Sequence, residues 1–120
     1  MQNIELITPS ELSDKLKVKK STVTNWIKYQ RIPESLYFKI GTVVRFYRDK
    51  FEDFYEVDLD DLLTIKEAAF VLRTNENTLK SWFFRKQLPE KIKCNIVGVT
   101  RIRKSMFAHL IMKSSVPAAA

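Results

Sequence analysis

The sequence predicts a mainly α-helical fold with small β-hairpins, built as two copies of one unit in tandem. Three observations predict it. First, sliding the chain by 56 residues aligns Leu6 to Phe54 with Leu62 to Leu110 without a gap. Identities fall at Leu6/Leu62, Thr8/Thr64, Glu11/Glu67, Leu16/Leu72, Thr22/Thr78, Trp26/Trp82, Pro33/Pro89, Glu34/Glu90, Ile40/Ile96, Val43/Val99, Arg45/Arg101 and Phe51/Phe107. Second, each copy opens on a helix-start signature. Third, the only two glycines, Gly41 and Gly98, fall inside the two alternating apolar segments, where a hairpin has to turn. Two copies of this period make a tandem domain, since a solenoid stacks three or more units. The expected boundaries are residues 1–58, residues 59–113 and a disordered tail over 114–120.

The first helix of each copy starts at TPSE (Thr8) or TIKE (Thr64). The threonine side chain there caps a free backbone N–H, and the glutamate three residues on reaches back. Its inner face is Leu12 and Leu16 in the first copy and Ala68, Ala69 and Leu72 in the second, at helical spacing. A short turn, Lys17 to Lys19 or Arg73 to Asn75, leads to a second helix. That helix buries Val23, Trp26 and Ile27, or Leu79, Trp82 and Phe83, with both tryptophans as core anchors. Pro33 and Pro89 end this pattern. LYFKIGTVVRFY and KIKCNIVGVTRIR then alternate as hairpins, and amphipathic helices close the copies at Asp49 to Val57 and Lys104 to Lys113. Phe51 and Phe54, or Phe107 and Leu110, mark their apolar sides. Helix, turn, helix, hairpin wing and helix together make a winged helix-turn-helix plan, predicted twice.

The ordered set T-x-x-E, T-[VL]-x-x-W, [IL]-P-E, a wing glycine, R-[FI] and a later phenylalanine resembles the small winged-helix domains of excisionases and MerR-type regulators. The resemblance covers about residues 6–55 and 62–111. It implies double-stranded DNA binding, with the second helix in the major groove and the wing against flanking backbone or minor groove. Such domains usually carry glycine after the second helix, where this chain has Gln30 and Lys86. The long coiled coil or effector domain of MerR-type regulators has no counterpart here.

Charge agrees with a polyanionic partner. The chain carries +7 overall, with nine Lys or Arg against Glu34 alone from Lys15 to Arg48, and seven acids against Lys50 from Asp49 to Asp61. Candidate DNA contacts in the first copy are Lys19, Lys20, Ser21, Thr22, Thr24, Asn25 and Lys28, with Lys39, Thr42 and Arg45 in the wing. In the second copy they are Asn75, Asn77, Thr78, Lys80, Ser81 and Arg85, with Arg101 and Arg103 in the wing. Short polar side chains on the outward phase of a helix bond base edges, and lysines reach phosphates or guanine. Arg45 and Arg101 precede the core positions Phe46 and Ile102. They turn toward a phosphate or an AT-rich minor groove, or else pair with the recurring Glu34 and Glu90. Phe84, in phase with Lys28, either faces out, toward thymine methyls or a partner protein, or turns into the core.

Catalysis is disfavoured. His109 is the only histidine and Cys94 the only cysteine, so no His/Cys zinc set and no internal disulfide can form, and two separated glycines build no phosphate loop. Asp60 and Asp61 read as a solvated joint. The expected partners are double-stranded DNA and, on it, an integrase or recombinase or another copy of the chain. No cofactor, metal or membrane is expected, and the expected location is cytoplasmic, associated with the nucleoid.

The resemblance implies a recombination directionality factor or a small transcription regulator of a phage or mobile element. A plasmid partition protein gripping repeated sites is the alternative within DNA binding. A protein-interaction module is the alternative outside it, because charge is uneven: ten bases against nine acids over residues 1–58, eleven against five over 59–120. The joint from Val57 to Thr64 spans at most about 20 Å when extended, so both copies are expected on adjacent half-sites, where a fixed angle between them bends the duplex.

Overall fold

The computed structural model describes residues 4–118. The chain divides into two compact units between Asp60 and Asp61. That is two residues later than expected, because the segment before the division is tied back to the first unit. The Leu59 N–H donates to the Glu52 carboxylate at 2.8 Å, and Asp60 pairs with Lys15 and Arg48.

The first unit runs β1 (Leu6–Ile7), α1 (Pro9–Leu16), α2 (Lys20–Lys28), a 3₁₀ turn (Glu34–Leu36), β2 (Tyr37–Ile40), β3 (Val43–Tyr47) and α3 (Arg48–Tyr55). The capping box forms as the sequence predicts. The Glu11 N–H donates to Thr8 Oγ1 at 3.0 Å and the Thr8 N–H donates to Glu11 Oε1 at 2.9 Å, a pairing worth about 1 kcal/mol. It also holds the Glu11 carboxyl below its ordinary range, chiefly through the Thr8 backbone bond. Helix α1 closes at Lys17, which takes the left-handed conformation (φ 59°). The hairpin pairs Tyr37 with Phe46 and Ile40 with Val43.

Strand β1 was not legible in the sequence, since two residues carry no periodicity. It joins the other edge of β3 through Leu6↔Tyr47 and Ile7↔Phe46, giving the sheet order β1-β3-β2. Leu12, Leu16, Val23, Trp26, Phe46 and Phe51 are all buried, and the Phe46 and Phe51 rings meet edge to face, 6.3 Å apart. Phe54 corrects the prediction, being 56% exposed. Tyr55 packs its ring against Phe51 in its place, tilted, with centroids 4.8 Å apart, because four residues of helix return closer in phase than three.

The second unit runs β4 (Leu62–Leu63), α4 (Ile65–Val71), α5 (Glu76–Phe84), a 3₁₀ turn (Glu90–Ile92), β5 (Lys93–Ile96), β6 (Val99–Arg103) and α6 (Lys104–Ala118). Its sheet order is β4-β6-β5, and Thr64 and Glu67 form the same capping box. Its core gathers Ala68, Ala69, Leu79, Phe83, Ile92, Ile102 and Phe107, with Leu72, Trp82 and Leu110 packed against it. Helix α6 runs to Ala118, past Lys113 where the sequence pattern placed its end. Leu110 and Ile111 pack against this core. Residues 119–120 lie outside the described residues.

Asp60 and Asp61 are not the solvated joint that the sequence suggested. Asp61 belongs to the second unit: its backbone carbonyl accepts from the Lys104 N–H at 2.9 Å, and its carboxylate accepts from the Ser105 N–H (3.0 Å) and hydroxyl (2.6 Å). Among the described residues, no helix is long and apolar enough to cross a membrane.

Candidate nucleic-acid interface

In α2 the apolar residues Val23 and Trp26 face the core, which leaves Ser21, Thr24, Asn25 and Lys28 on the opposite face, all exposed. These positions recur at i, i+3, i+4 and i+7, one stripe along the helix. Lys19 and Lys20, exposed at its start, extend the stripe with positive charge, while Thr22 is half-buried. The Thr24 hydroxyl donates to the Ser21 carbonyl at 3.0 Å, so its oxygen remains an acceptor. The Lys28 ammonium lies 5.4 Å from the centre of the Tyr29 ring. The stripe therefore offers amide and hydroxyl groups flanked by ammoniums, the chemistry that reads base edges and holds phosphates.

Two residues after α2 the chain turns at Gln30 with φ 54°, and after α5 at Lys86 with φ 59°. Neither residue is glycine, yet both take the left-handed conformation. The helix exit thus keeps its geometry at a local cost of about 1–2 kcal/mol.

In the first wing Lys39 and Thr42 are exposed near the tip, whereas Arg45 is half-buried and its Nη1 donates to the Val44 carbonyl at 2.7 Å. Arg101 repeats the arrangement, donating to the Thr100 carbonyl at 2.7 Å, and burial lowers its pKa. The charge of Arg45 adds a small share to the lowering of Glu11, and that of Glu67 opposes the effect of burial on Arg101, so in each unit the wing arginine and the capping-box glutamate act on each other electrostatically. Glu90 has Lys93 at 3.8 Å.

In the second unit Asn77, Lys80 and Arg85 are exposed on or beside α5, and Thr78 and Ser81 are half-buried. Two candidates have structural work. Asn75 caps α5, its side-chain oxygen accepting from the Thr78 N–H at 2.8 Å. Arg103 donates to the carbonyls of Lys91 (2.6 Å) and Lys93 (3.0 Å), tying β6 to the 3₁₀ turn and β5. Phe84 faces outward, 87% exposed, while its neighbour Phe83 fills the core. A groove of about 440 Å³ opens between α5 and the hairpin, lined by Ile65, Lys80, Phe83, Phe84, Glu90, Lys93 and Thr100. Nothing in the local pattern marks Lys93 as part of this surface, because only the folded hairpin brings it beside α5.

No curated protein and no solved structure matches the chain. Residues 6–56 match the family model of a helix-turn-helix domain, a match that contains α1, the turn, α2 and the hairpin and supports a DNA-binding helix-turn-helix protein.

Proposed function

We propose that the protein binds double-stranded DNA through both units, each laying its second helix in the major groove with its hairpin along the flanking backbone. The exposed stripe Ser21, Thr24, Asn25 and Lys28 on the second helix of a matched helix-turn-helix domain carries this reading. A helix face that is polar, short-chained and edged with lysine is suited to base edges inside a groove about 12 Å wide. Asp60 is held within the first unit and Asp61, the next residue, within the second. With no free linker, the two readers engage neighbouring half-sites, arranged as direct repeats because the copies are gapless duplicates. Bending of the duplex follows where the angle between the readers departs from straight DNA.

Within that reading the role is that of an excisionase-like recombination directionality factor or a compact transcription regulator of a mobile element or phage, acting without catalysis. DNase footprinting on a duplex selected from a random pool tests it. Protection of two adjacent half-sites is expected, with a bend in circular-permutation assays. Protection of a single half-site, unchanged when the second unit's Lys80 and Arg85 are replaced by alanine, contradicts the two-handed form.

A second reading has its own observation. Phe70 is 81% and Val71 55% exposed on α4, where the first unit has Asp14 and Lys15. Large apolar side chains left in water on one helix suit a protein partner, so the second unit is also the place where a recombinase or another copy of the chain would dock.

A further inference from the structure

Phe84 occupies the last position of α5, the place that Lys28 holds on α2. Asn77, Lys80, Ser81 and Phe84 recur at i, i+3, i+4 and i+7, so the ring shares one helix face with the polar residues offered to DNA. The core does not need it, since Phe83 already fills that place at 5% exposure. Lys80, Lys93 and Glu90 border the groove beside the ring, Glu90 lying 3.8 Å from Lys93, so the polar rim carries a net positive charge that suits a polyanion better than an apolar ligand.

The major groove shows hydrogen-bonding edges at every base pair and a single apolar group, the C5-methyl of thymine. A phenyl ring entering the groove strips water from polar edges and bonds none of them, so it gains only where it meets that methyl. We propose, on the reading that α5 enters the major groove, that Phe84 is a specificity residue selecting thymine at one or two positions of the second unit's half-site. The first unit, with Lys28 at the matching position, lacks this selection. The two copies therefore read different sequences although their folds repeat.

Deoxyuridine tests this directly, because it differs from thymidine only by the missing methyl. The full chain is titrated by fluorescence anisotropy against a selected duplex and against versions carrying deoxyuridine at single thymines. Each methyl that Phe84 touches is expected to cost about fourfold in affinity on removal, at positions confined to one half-site. Phe84→Lys is expected to abolish the penalty, and Phe84→Leu to keep part of it. The ring is exposed, so neither variant disturbs folding, which circular dichroism melting checks.

Equal affinity for thymine and uracil duplexes overturns the inference while leaving duplex binding standing. So does a uracil penalty that persists in Phe84→Lys. Unchanged affinity of Phe84→Ala for the thymine duplex also overturns it. Failure to bind any duplex at low salt overturns the DNA reading itself, and this inference with it.

Discussion

The guanidinium of Arg48 donates to the carboxylate of Asp60 at 2.6 Å, linking the first residue of α3 to the last residue of the first unit. Glu5, at 3.0 Å, and Glu52, at 3.5 Å, share the same guanidinium, and Lys15 holds the other oxygen of Asp60. Hydrogen bonds from Lys15 and then Arg48 pull the Asp60 pKa down from 3.8 to about 2, and donating to Asp60 raises that of Arg48.

A carboxylate whose pKa is lowered by folding contributes stability that is present above its unfolded value and lost as pH falls through the folded one. Asp60→Asn is therefore expected to melt at a lower temperature than the parent near neutral pH. The gap is expected to close between pH values of about 4 and 2. A gap that is constant across this range, or zero at neutral pH, contradicts the role given to the pair.

Val97 precedes Gly98 at the second hairpin tip, and both have positive φ, 52° and 81°. A type I′ turn requires this of both central residues, and a β-branched side chain tolerates it poorly. Asparagine accepts the left-handed region and completes the favoured Asn-Gly pair. Val97→Asn is expected to stabilise the chain by about 1 kcal/mol in urea melts, and a loss of stability of similar size contradicts the turn assignment.

Arg103 divides a structural role from a DNA role. Because its Nη1 serves two backbone carbonyls, Arg103→Ala is expected to cost about 1–2 kcal/mol of stability and to leave duplex affinity nearly unchanged. Asn25→Ala, on the exposed stripe, is expected to do the reverse: little change in stability, and about 1–3 kcal/mol lost on the preferred sequence if its amide reads an adenine. Interchanged outcomes contradict the placement of the interface.

What the sequence revealed was local, and what it hid was tertiary. Thr8 and Glu11 are three residues apart, so their capping box could be read directly, and its recurrence at Thr64 and Glu67 doubled the signal. The outward stripe on α2 was likewise legible, since Val23 and Trp26 fix the phase of the helix. Strands of two residues, such as Leu6–Ile7, have no period to read. The Arg48 cluster pairs residues up to 45 apart in the chain, and only the sheet and α3 bring them together. Phe83 was legible as a core residue, whereas Phe84, at the helix end, stayed open between solvent and core until the fold left it 87% exposed. Arg103 looked like a basic wing residue because no pattern marks an arginine that bonds carbonyls across its own hairpin.

The central claim is that the outer faces of the two second helices grip duplex DNA, and the salt dependence of binding tests it most directly. The whole chain is titrated against its selected duplex from 50 to 200 mM salt, beside a variant carrying Lys19→Ala, Lys20→Ala and Lys28→Ala. Contacts to roughly six to ten phosphates predict an affinity loss of about 10³- to 10⁵-fold over that range for the parent, with a slope shallower by nearly one unit for each lysine removed. A flat response in the parent, or the same slope in the variant, would contradict the claim.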